Sequence, residues 1–74
     1  MSNRTRNSEY YEKRFGDIAI EKGFISHDEL IKALTIQGRE EIDSGTYLLI
    51  REIFLDQNTM HVNQIEEVVK AVFN

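Results

Sequence analysis

The sequence predicts an all-α fold: a compact four-helix domain made of two tandem helix-turn-helix hairpins. Three observations predict it. The 74 residues contain no proline and four glycines, and 41% are hydrophobic against 30% charged, the balance of a folded, mostly helical globule. Apolar residues recur at three- and four-residue spacing, the period of amphipathic helices. Sliding the chain along itself by 35 positions lays DIAIEKGFISHDELIKAL (17–34) over EIFLDQNTMHVNQIEEVV (52–69) without a gap, which marks a duplicated unit.

Residues 1–8 read as a flexible basic lead-in, and 9–74 as a single helical domain with repeat units at about 14–37 and 49–72. Helix 1 is expected over about 8–22, with Tyr11, Phe15, Ile18 and Ala19 on its apolar stripe. Gly23 then fits the left-handed residue after a helix end, and Asn58, its equivalent in the second unit, is the next best residue for that conformation. Ser26 and Glu29 form a capping box for helix 2 at 27–38, with Ile25 and Leu30 as a hydrophobic staple. Leu30, Ala33 and Leu34 give its stripe.

The linker GREEIDSG has Gly38 and Gly45 at its ends, and helix 2 has the composition to run on towards Ile42. Helix 3 is expected at 46–57 and helix 4 at 62–73. Met60 and Ile65 repeat the staple, Gln64 replaces Glu29, and His61 replaces Ser26 as a weaker cap. Each hairpin alone would leave its apolar stripe in water, so the two halves should pack face to face.

Charge narrows the partners. The net charge of −4 divides into +2 over residues 1–14 and −6 over the remainder. Duplex nucleic acid needs a basic face, and the acidic residues opening helix 2 (Asp28, Glu29) and within helix 4 (Glu66, Glu67) argue against a DNA-reading hairpin. The basic amino-terminal section suits a small anionic ligand. No cysteine is present, so there is no disulfide or thiolate metal site. No apolar run approaches the roughly 20 residues of a membrane span, so no membrane insertion and a cytoplasmic location are expected.

Catalytic groups are not assembled. His27 and His61 have no ligand partner at i+4 in a metal pattern. The pairs Glu40-Glu41 and Glu66-Glu67 point about 100° apart on a helix, which does not desolvate one of them for acid-base work. The hydroxyls have cap or loop roles, and no phosphate loop with lysine is present. The chain is expected to be no enzyme and to hold no cofactor or metal.

Arg14-Phe15-Gly16, Ile18, Ile20, Gly23-Phe24-Ile25, Leu30, Ala33-Leu34 and Gln37 resemble, at matching spacing, the first motif of the MshEN-type amino-terminal domain of bacterial type II secretion and type IV pilus assembly ATPases, often written RLGxLLxxxGxIxxxxLxxALxxQ. The resemblance implies a regulatory module. Members of that family include cyclic di-GMP receptors that use two such motifs in tandem. Carried over, Arg14 would stack on or pair with a guanine, Gly16 would let the nucleotide approach, and Gln37 would add a polar contact; Phe15 and Gly23 complete the candidate ligand-binding set.

The second unit departs from that pattern. Leu49-Ile50-Arg51 stands in place of Arg-Leu-Gly, and Val72 in place of the closing glutamine, so half of the nucleotide site is missing. The expected function is therefore a small non-enzymatic regulatory or protein-interaction module that binds a protein partner or itself. The alternative is a cyclic di-GMP sensor using the first motif, as one chain or as a dimer. Gly16 itself is read first as a close-packing point between helices and second as a point of nucleotide approach.

Overall fold

The computed structural model describes residues 2–73, with side chains from residue 10 onward. Four helices follow one another: α1 (Ser2–Glu21), α2 (His27–Ser44), α3 (Ile50–Asp56) and α4 (Val62–Val72). The fold is all-α. Helix α1 packs on α4 and α2 packs on α3, with α1 also touching α3, so each hairpin covers the apolar stripe of the other. Among the described residues no helix is long and apolar enough to cross a membrane.

The 35-residue offset reappears in three dimensions. The buried apolar side chains are Phe15, Ile18, Ala19, Ile25 and Ala33 in the first half and Ile50, Ile53, Phe54, Met60 and Val68 in the second, each second-half residue 35 positions after its first-half counterpart. The pairing conserves burial and not size. Ala19 is matched by Phe54, whose ring stacks near Phe15 of the other half at a centroid distance of 6.3 Å.

The turns repeat too. Gly23 (φ 78°) and Asn58 (φ 59°) are both left-handed, and in each turn the next amide returns to the helix: Phe24 N to Ala19 O at 2.9 Å, Thr59 N to Phe54 O at 2.8 Å. At α2 the expected box is complete, Glu29 N donating to Ser26 Oγ at 3.1 Å and Ser26 N to Glu29 Oε1 at 2.8 Å. At α4 the Gln64 arm is present, His61 N donating to Gln64 Oε1 at 2.9 Å.

Several boundaries differ from the sequence expectation. Helix α1 starts at Ser2 rather than near residue 8; no glycine or proline between residues 2 and 15 stops it. Helix α2 passes through Gly38 and ends at Gly45, which is left-handed (φ 71°) and donates its N–H to Glu41 O. One internal glycine costs about 1 kcal/mol, and the Arg39-Glu40-Glu41 segment continues the helix in spite of it. Helix α3 begins at Ile50 and not at 46, because Leu48 O accepts from Gln37 of α2 and Leu49 N donates to Glu52 of α3 itself.

Two stripe residues also point elsewhere. Tyr11 is 41% exposed and Leu34 is exposed. The inward positions of α2 are Ala33 and Gln37, one turn apart, and Leu34 is rotated about 100° from Ala33. Tyr11 lies beside the end of α4, its ring 4.9 Å from that of Phe73.

Candidate functional site

The five residues that the first motif nominates have different surroundings. Arg14 is exposed, Phe15 is in the core, Gly16 is buried, Gly23 forms an exposed left-handed turn, and Gln37 is buried at 9% exposure. A Cβ placed on Gly16 would lie 2.9 Å from Leu30 Cδ1 and 3.1 Å from Cδ2, so Leu30 fills the space that the glycine leaves between α1 and α2. Gly16→Ala should change stability by less than about 1 kcal/mol, because the gain in helix propensity offsets turning the ends of a half-buried leucine. Gly16→Val should lose about 1–3 kcal/mol by overpacking. Thermal denaturation of the two variants checks this.

Gln37 belongs to a buried polar node that sequence reasoning missed. Its Nε2 donates to Glu12 Oε1 at 2.9 Å and to the Leu48 carbonyl at 2.6 Å. The same Glu12 oxygen accepts the Ile50 amide at 2.7 Å. Glu12, 8% exposed, thereby ties α1 to the first amide of α3, while Gln37 ties α2 to the linker just before it. The only sequence signal was the placement of Glu12 one residue from Tyr11 on a helix; an acid there ordinarily reads as solvated surface.

The second half has Arg51 and Ile65 at the positions equivalent to Gly16 and Leu30. Beside Arg51 lies a groove of about 630 Å³, lined by Arg51, Ile65, Glu66, Val69, Lys70 and Phe73. Arg51, Val69 and Phe73 also line a narrow cleft that runs on to Tyr11 and Glu12. Tyr10 stands edge-on to Tyr11, with ring centroids 5.3 Å apart. Tyr10 is 61% exposed and Phe73 is 63% exposed. An aromatic ledge and a cation-bearing groove thus form one continuous surface on an otherwise acidic body.

Across α3 lies a second cleft, about 510 Å³, lined by Ile36, Leu48 and Ile53 together with Glu40, Glu52 and Asp56. Among the described residues the one ion pair is Lys22–Glu67 at 3.0 Å, between the end of α1 and α4; being solvent-exposed it contributes about 0–1 kcal/mol. Neither Arg51 nor Lys70 has an ionic partner there. No group of three or more described His, Cys, Asp or Glu residues is arranged to hold a metal ion.

No family model, curated protein or solved structure matches this chain.

Proposed function

We propose that the chain is a small non-enzymatic protein-interaction or regulatory module, of the kind implied by its resemblance to the amino-terminal domain of secretion and pilus ATPases. The observation that supports this reading is the continuous surface of Tyr10, Tyr11 and Phe73 with Arg51 and Lys70. Exposed tyrosines and a half-buried arginine at the edge of an apolar groove are the residue types that dominate protein interfaces. Exposed aromatics that cluster, instead of lying scattered singly, mark an interaction site.

The cyclic di-GMP reading ranks second. Exposed Arg14, free of ion pairs among the described residues, favours it. Against it, both amide hydrogens of Gln37 are engaged within the chain, Leu30 occupies the space at Gly16, and Phe15 is core.

The test is site-specific photo-crosslinking in the native cells, with the crosslinking residue placed at 73 in one variant and at 14 in another. Protein adducts from position 73 and none from position 14 are the expected result. Adducts from position 14 alone would overturn the assignment of the working surface.

A further inference from the structure

Helix α3 divides two clefts of opposite charge. Its residues Ile50, Ile53 and Phe54 face the core, which leaves Arg51 on one flank and Asp56 on the other, about 140° apart around the helix axis. Arg51 belongs to the groove against α4, with Lys70 as the second cation, Glu66 as the one acid, and Ile65, Val69 and Phe73 as the apolar lining. Asp56 belongs to the cleft against α2, with Glu40 and Glu52 as further acids and Ile36 and Leu48 as the apolar lining. The exposed Leu55 lies on the ridge between them.

We infer that the occupant of the Arg51–Lys70 groove is the acidic α2/α3 lip of a second copy of this chain. This deepens the proposed interaction function and rests on it. The groove has two cations against one acid and the lip has three acids and no cation, so the two are complementary in net charge, and both carry apolar lining. Because they face away from each other across α3, one chain cannot satisfy both of its own. The join is head-to-tail: each added copy leaves a free groove at one end and a free lip at the other. Such a heterologous contact continues into a chain of copies, or closes into a ring where the rotation permits. Charged lips set the orientation of the join and make it sensitive to salt, since the screening length falls from about 10 Å at 0.1 M to about 3 Å at 1 M.

The test is a charge swap followed by sedimentation velocity. The wild-type chain should show a weight-average mass that rises with concentration and falls back towards 8.7 kDa in high salt. A groove variant, R51E/K70E, and a lip variant, E40K/D56K, should each stay monomeric alone. Glu52 is left in place because it accepts the Leu49 amide at 2.8 Å. Mixing the two variants should restore assembly, because the reversed groove meets the reversed lip and the native groove meets the native lip. Circular dichroism confirms folding of each. If R51E/K70E loses helical signal, K70E alone takes its place and should weaken assembly.

A wild-type chain that remains monomeric at every concentration would overturn self-assembly. So would variants that assemble alone as well as wild type. Neither result touches the interaction function itself, since position 73 would still crosslink to a different protein; failure of that function would instead appear as no adduct from 73 of any mass.

Discussion

Phe54→Ala should remove about 3–5 kcal/mol of stability, the range for truncating a fully buried aromatic. Phe54 is 1% exposed and among the largest fully buried side chains of the core, so its truncation leaves a cavity at the centre of the packing. The stacked contact with Phe15 is lost as well. A 74-residue domain buries only about 60–65% of its unfolded surface and has a total stability near the lower end of about 5–15 kcal/mol. The variant should therefore be largely unfolded at room temperature, seen as lost ellipticity and no cooperative melt. The reciprocal change Ala19→Gly should cost only about 1 kcal/mol, which separates a volume effect from a generic core effect.

Glu12→Ala should cost about 2–4 kcal/mol. The Ile50 amide would become a buried donor with no acceptor, a penalty of about 1–3 kcal/mol, and Gln37 would retain only its bond to Leu48 O. Glu12→Gln keeps an acceptor oxygen at the same place and should recover more than half of the loss. Chemical denaturation gives the energies. Hydrogen exchange at the Ile50 amide localises the effect, because its protection should fall in Glu12→Ala before the rest of α3 opens. Combining Glu12→Ala with Gln37→Ala should cost less than the sum of the two, since they share one network.

Why the core was legible and the polar node was not follows from how each is encoded. Phe15, Ile18, Ala19, Ile25 and Ala33 repeat as Ile50, Ile53, Phe54, Met60 and Val68; the first-half members were legible from their period, whereas Ile50 and Phe54 were not placed on a stripe. The turns at Gly23 and Asn58 and the Ser26–Glu29 cap were legible for the same reason, as each depends on neighbours in sequence. Glu12 and Gln37 are 25 residues apart, and Glu12 and Ile50 are 38 apart. No local pattern pairs them, and under the repeat they correspond to Tyr47 and Val72, so the duplication gives no second example.

That node also explains the late start of α3. The stretch 46–49 has helix-compatible residues, yet Leu48 O is engaged by Gln37 and Leu49 is held extended as the N-cap; tertiary hydrogen bonds outweigh local propensity there. Tyr11 was misplaced by a related cause. Its position on the α1 stripe is right for the core, but beyond Phe15 the facing element is the end of α4, where Phe73 leaves it half in solvent.

The asymmetry between Gly16 and Arg51 carries the functional reading. Where glycine stands, Leu30 closes the interhelical space; where arginine stands, a groove opens with Phe73 and Lys70 along it. The proposed working surface is the open one. Its most direct test is a backbone-amide shift map of the isotopically labelled chain during titration with cyclic di-GMP, with GTP and cyclic di-AMP as controls. The account predicts no saturable shift at Arg14, Gly16, Gly23 or Gln37 up to high micromolar ligand. Saturable shifts confined to those four amides would contradict it and place the function at the first motif.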